Sequence, residues 1–225
     1  MFVKSLFAAS CGLLLATGAL AKEPPPAPVE PASIIPALVP ENTLNLDLST
    51  GGRVIIQLRP DLAPNHVERY KTLVRQGFYG NSPFHRVIEG FMAQGGDPSG
   101  TGTGGSQFPD LKAEFNALPH VRGAVSAART AEPDTANSQF FIMFAPRLSL
   151  DTKYTVFGRV VSGMQYVDAI ERGEPPANPT RVVRASIGAE PAVAPRPAPI
   201  APTLAPTPAP TPVETPADTP VADPK

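Results

Sequence analysis

Between residues 42 and 190 the apolar residues come in short runs, each closed by glycine, proline, asparagine or aspartate. TLNLDLS, RVIIQLR, FHRVIEGFMAQGG, GAVSAAR, SQFFIMFA, YTVFGRVV and RVVRASIG are rich in β-branched and aromatic residues, a pattern that predicts strands of an antiparallel sheet. Two stretches follow a helical period instead. In APNHVERYKTLVRQGFYG, Pro64 suits a first turn, Val67, Tyr70, Leu73 and Val74 fall on one side, and Gly77 can end the helix. GMQYVDAIERGE repeats the design, with Val167 and Ile170 inward and Gly173 closing it. Many strands and two helices predict a mainly β fold: a closed barrel with the helices covering its open ends.

The 30 prolines divide the chain. Seven lie between Lys22 and Pro40 and twelve between Pro191 and Lys225, against eleven in the 150 residues between those flanks. The flanks lack the periodicity to bury anything, so residues 22–41 read as a Pro-rich linker and 191–225 as a disordered, extended Pro/Ala/Thr-rich tail. Xaa-Pro bonds such as Ala194-Pro195, Ala209-Pro210 and Asp223-Pro224 make that tail a spacer or a weak self-competitor. Residues 1–21, MFVKSLFAASCGLLLATGALA, have one cationic residue, an apolar stretch and a small-x-small end, as a secretory signal peptide does. Once it is cleaved, no membrane span is expected. What remains, residues 42–190, is the size of one domain.

Removing the leader takes away Lys4 and the only cysteine, Cys11, leaving 18 basic against 20 acidic residues with no block of like charge. That sets aside nucleic acid and anionic membrane surfaces as main partners. It also leaves neither a disulfide framework nor thiol chemistry. His66, His85 and His120 lack metal-ligand spacing, so no metal is expected. GTGTGG at 100–105 has the spelling of a dinucleotide-binding turn, but SQFPDL follows it, with Pro109 against a helix there, and no lysine follows for a phosphate loop. It reads as a flexible surface loop. There is no G-x-S-x-G turn, and Asp97, His85 and Ser99 form no recognisable relay, which speaks against a hydrolase.

FHRVIEGFMAQGGD, residues 84–97, places a guanidinium in an apolar run, where it needs a partner. Alternation puts Arg86, Ile88, Met92 and Gln94 on one side and His85, Val87 and Phe91 on the other. A bulge at Gly90 would turn Phe91 toward the first set. In SQFFIMFA, Gln139 and Phe141 share a face opposite Phe140 and Ile142. Two accounts fit these residues: a shallow apolar pocket with a donor-rich rim, or ordinary core with Arg86 paired to Glu89 or Asp97. By itself His85 reads as a packed core histidine.

Taken together, FHRVIEGFMAQGGDPSGTGTGG, SQFFIMFA and YTVFGRVV, preceded by APNHVERYKTLVRQGFYG, resemble a bacterial cyclophilin-type peptidyl-prolyl cis-trans isomerase from about Leu44 to Gly188. The resemblance implies a closed eight-stranded antiparallel barrel capped by two α-helices. It implies an isomerase acting on Xaa-Pro bonds of unfolded or extended polypeptides, a reaction for which no cofactor is expected; nothing in the sequence demands more than a monomer. Arg86 would be catalytic, held by Gln94; Phe91, Met92, Phe141 and Leu150 would form the proline pocket; Gln139 would lie on its rim. His85, Ala128 and Tyr154 would be further substrate contacts, Tyr154 standing where some members have histidine. With the leader, the likeness to bacterial members implies a periplasmic enzyme, or failing that a secreted one, that assists folding of exported proteins. A non-catalytic module holding proline-containing segments is the alternative. Ser149 stands where many members have tryptophan, and the chain has none, so cyclosporin binding is expected to be weak or absent. Ala127 replaces a methionine common at that place, and Ala128 and Arg129 fill the stretch whose backbone usually contacts substrate.

Overall fold

The computed structural model describes residues 38–188; the leader, most of the first linker and the C-terminal tail lie outside the described residues. β1 (Thr43–Leu48) and β2 (Arg53–Leu58) form a hairpin, α1 (Pro64–Arg75) follows, and β3 (Ser82–Pro83), β4 (Arg86–Ile88) and β5 (Met92–Gly95) lead into the glycine-rich segment. β6 (Ala124–Ala127), β7 (Phe140–Met143), β8 (Val156–Ser162), a short α2 (Met164–Asp168) and β9 (Arg181–Ile187) complete the order. Single 3-10 turns occupy Pro40–Asn42 and Leu148–Leu150.

The closed eight-stranded barrel is not what forms. Nine strands make one antiparallel sheet in the order β3-β9-β1-β2-β8-β6-β7-β5-β4, curled into a half-barrel. The reason lies in the segment SPFHRVI, which splits in two. Pro83 has no N–H to continue a ladder. Phe84 N–H donates to Thr180 O on the β9 side, whereas His85 N–H donates to Gln94 O on the β5 side. β3 and β4 therefore sit at opposite edges, and the covalent chain, not a ladder of hydrogen bonds, spans the gap between them. Beyond β4, Gly173 adds an isolated antiparallel bridge to Val87, with N–H···O distances of 2.8 and 2.9 Å.

Each face of the sheet carries its own apolar cluster. The larger holds Leu46, Ile56, Val87, Ala93, Val125, Phe140, Ile142 and Phe157, and α1 packs Val67, Tyr70, Leu73 and Val74 into it at the predicted spacing. Gly77, at φ +70°, ends α1 as the sequence suggests: its N–H donates to Val74 O and that of Phe78 to Leu73 O. Tyr70 stacks on Phe157 at 4.1 Å between ring centroids. The hydroxyls of Tyr70 and Tyr79 donate to the carbonyls of Gln139 and Ser138 at 2.8 and 3.0 Å. Core aromatics thus hold the approach to β7, and burial raises both phenolic pKa values. α2 is shorter than predicted. Val167 and Ile170 are buried as expected, but Arg172 caps the carbonyls of Asp168 and Ile170, and Gly173 leaves to pair with β4.

Candidate active site

The second apolar cluster lies on the opposite face. Arg86 stands across from Gln94, Gln94 across from Phe141, and Phe141 across from Ser126, so one row of side chains crosses β4, β5, β7 and β6 on the same side. The next row sets Ile88 across from Met92 and Met92 across from Met143. Phe91 joins this face through a four-residue turn in which Gly90 has φ +66° and Phe91 N–H donates to Ile88 O. Met92, Phe141, Met143 and Val156 are buried there, with Phe91, Ala128, Leu150 and Tyr154 packed around them.

A cavity of about 120 Å³ opens on this surface, lined by Arg86, Phe91, Met92, Gln94, Ala128, Arg129, Phe141, Leu150 and Tyr154. Its volume matches about four waters, room for one small apolar side chain. Arg147 lies over the Phe91 ring at 5.0 Å, and Tyr154 meets Phe141 edge to face at 5.7 Å. A larger cavity of about 650 Å³ adjoins it, sharing Gln94, Ala128 and Arg129 and adding Gln139, Asp110, Asn137 and the glycine loop. Of the residues singled out in sequence, eight line the smaller cavity and Gln139 lines only the larger. His85 lines neither: it is buried under Gly102, and desolvation lowers its pKa, so its ring is neutral near pH 7.

The rim is one connected hydrogen-bonded chain. Arg86 Nε donates to Glu174 Oε2 at 2.8 Å and Nη1 to Gln94 Oε1 at 3.4 Å. Gln94 Nε2 donates to Gln139 Oε1 at 2.9 Å, and Gln139 Nε2 donates to the carbonyls of Gly102 and Gly104, both at 2.9 Å. That glycine loop, read as flexible from sequence, is tied instead to the buried Asp97, whose carboxylate accepts the N–H groups of Ser99, Gly102 and Gly104. Burial alone would raise the Asp97 pKa; the hydrogen bonds from Ser99, Gly104 and Gly102 outweigh it and hold the group at about 2. Neither acid named in sequence pairs with Arg86. Glu89 holds Arg172 at 2.6 Å, and Asp97 is taken by the loop. Glu174, supplied from 88 positions downstream, is the partner that sequence reasoning missed. The Gly173 bridge to Val87 puts it beside β4.

A chain of three side chains, two of them buried and the third, Asp151, partly exposed, supports the apolar wall. His120 Nδ1 lies 2.9 Å from Asp151 Oδ1, and its Nε2 lies 2.9 Å from Ser126 Oγ. With the Nδ1–H tautomer that Asp151 favours, Nε2 accepts from the serine. The set has the residue types of a nucleophilic relay, but Ser126 and His120 are fully buried and no substrate atom can reach them. Instead His120 lies nearly parallel to the Phe141 ring, with 6.1 Å between centroids. Asp151 also accepts His120 N–H and Arg147 N–H donates to His120 O, fixing the turn that presents Leu150.

A half-barrel with an apolar cavity and a guanidinium on its outer face defines the class of protein. A family model described as cyclophilin type peptidyl-prolyl cis-trans isomerase/CLD matches residues 44–187. A probable peptidyl-prolyl cis-trans isomerase of Brucella suis is 45% identical over 205 residues, covering 84% of this chain and 98% of that one. Among solved structures, a cyclophilin from Hirschia baltica has 30% identity and a TM-score of 0.62, over 68% of this chain and 76% of that one. A Cryptosporidium parvum cyclophilin-type isomerase, determined in the presence of the dipeptide Ala-Pro, has 26% identity and a TM-score of 0.62, over 66% and 99%. The chain belongs to the cyclophilin-type peptidyl-prolyl cis-trans isomerase family. It is an isomerase of that class.

Proposed function

We propose that the protein turns Xaa-Pro bonds of exported polypeptides between cis and trans, with Arg86 as the catalytic residue and the 120 Å³ cavity as the proline pocket. The observation that carries this reading is the Arg86–Gln94 pair on the rim of an apolar cavity sized for one small ring.

Rotation about a peptide bond must overcome amide resonance, a barrier of about 18–20 kcal/mol, and breaks no covalent bond. It needs neither nucleophile nor proton shuttle. As the bond twists, the proline nitrogen regains its lone pair and becomes an acceptor that the planar amide does not offer. A guanidinium fixed at that point stabilises the twisted state selectively. Glu174 takes the Nε–H and Gln94 one Nη1–H, which leaves the remaining N–H groups of the fork for substrate. Phe91, Met92, Phe141 and Leu150 would grip the ring while the preceding carbonyl swings.

The leader and the kinship to a Brucella protein support a periplasmic enzyme that assists folding after export. No helix among the described residues is long and apolar enough to cross a membrane. The Arg86–Glu174 ion pair favours a second reading, a module that binds proline segments without turnover, if the pair holds the guanidinium away from substrate. Magnetisation-transfer exchange on an Ala-Pro tetrapeptide separates them. Arg86→Ala should lower kcat/KM at least about tenfold, close to 1.4 kcal/mol of transition-state stabilisation, with little loss of stability. Full activity in that variant, or a wild type that binds without exchange, would refute the catalytic assignment.

A further inference from the structure

Arg129 is the one cation besides Arg86 that lines the proline pocket, and it lines the larger cavity as well. Its guanidinium lies over the Tyr154 ring at 4.4 Å. It is anchored by carbonyls: Nε and Nη2 donate to Lys153 O, and Nη1 donates to Thr130 O and Ala131 O. Carbonyls fix its position without neutralising it. Among the described residues Arg129 makes no ion pair, whereas Arg86 is balanced by Glu174. The wall between the two cavities, made of Gln94, Ala128 and Arg129, therefore carries a held and unbalanced positive charge. Asp110, the acid lining the larger cavity, accepts from Asn137 Nδ2 at 2.9 Å and makes no ion pair with Arg129.

The proposed reaction gives this charge a direction. The proline nitrogen must point at Arg86, so the residue bonded to that nitrogen leaves the pocket past Gln94, which is hydrogen-bonded to Arg86 and borders the larger cavity. We propose that Arg129 is a specificity-determining residue that selects polypeptides with an acidic side chain in the two positions before the proline. The inference rests on the isomerase reading, and its test separates the two.

Exchange is measured on tetrapeptides with Glu, Gln or Lys at each of the two positions before proline, with wild type, Arg129→Gln and Arg129→Lys. The Gln peptides report the isomerase reading by themselves: no exchange there defeats that reading and the specificity with it. With exchange established, wild type should prefer Glu over Gln about three- to tenfold in kcat/KM at one or both positions, the scale of one partly screened charge pair, and should disfavour Lys. The ratio should collapse toward one in Arg129→Gln and in high salt. Arg129→Lys, which loses the carbonyl clasp but keeps the charge, should retain most of it, distinguishing charge from a merely structural role. Equal rates for Glu and Gln at both positions, or a preference that survives Arg129→Gln, would overturn the assignment.

Discussion

The direction in which a guanidinium's five N–H groups are held decides what the side chain can do. In Arg86 the carboxylate sits on Nε, at the base of the fork, while Gln94 meets Nη1 at the cavity's edge. Glu174 is thus a positioning residue in the proposed reaction: it fixes the plane of the guanidinium from behind. Both side chains of the pair are more than 40% exposed, so the bond adds little to folding. Glu174→Gln should reduce kcat about three- to tenfold, within the scale of one charge-assisted hydrogen bond, while KM changes less than about twofold. Its unfolding free energy should stay within about 1 kcal/mol of wild type. Stopped-flow exchange together with urea unfolding reads both quantities. An unchanged kcat would mean that Gln94 alone orients the fork, and a rise would mean that Glu174 competes with substrate.

Among the elements, the glycine loop shows how a buried charge can organise a site it does not touch. Asp97 accepts three backbone N–H groups, and the same loop returns the carbonyls of Gly102 and Gly104 to Gln139, which holds Gln94. Its space is tight, since a Cβ on Gly104 would lie 2.2 Å from Asp97 Oδ1. Asp97→Asn should cost about 2 kcal/mol in stability, the linkage value of a carboxyl moved from 3.8 to about 2, and should also lower activity by loosening Gln139. Chemical unfolding and the exchange assay run side by side would check this; a stable variant with wild-type kcat/KM would disconnect the loop from the site. The alternation in FHRVIEGFMAQGG suffices to put Arg86, Met92 and Gln94 on one face, because period two is a local property. The local pattern also marks α1, whose Pro64 and Gly77 bound it at both ends. What is not legible depends on chain separated in sequence. Nothing near Arg86 announces Glu174, and GTGTGG looks loose until Asp97 and Gln139 are seen to hold it. The strand count fails for the same reason: which edge Phe84 and His85 join is settled by Thr180 and Gln94, not by their own side chains.

For the whole molecule, all three histidines are buried, and their titration couples to folding. Desolvation lowers the pKa of His66, His85 and His120, opposed at His66 by Glu114, at His85 chiefly by Asp97 and at His120 by Asp151. An unfolded histidine takes up its proton near pH 6.5 and the folded one only below that, so in this interval the unfolded chain binds more protons. The stability these residues supply is therefore complete above about pH 6.5 and is lost as pH falls through their lowered folded values. Each contributes a slope of up to about 1.4 kcal/mol per pH unit inside its window. Asp97 behaves alike in direction but in a separate range: its contribution stands above pH 3.8 and disappears as pH falls through about 2. Urea midpoints at pH 8, 7, 6 and 5 should hold steady between 8 and 7 and then decline, before the carboxylates are reached. Since His120 backs the Phe141 wall, the same decline should appear as a rise in KM for an Xaa-Pro peptide ahead of global unfolding. A midpoint that stays flat from pH 8 to 5 would mean that Glu114, Asp97 and Asp151 cancel the cost of burying these rings. The acid sensitivity of the fold would then begin only with its carboxylates.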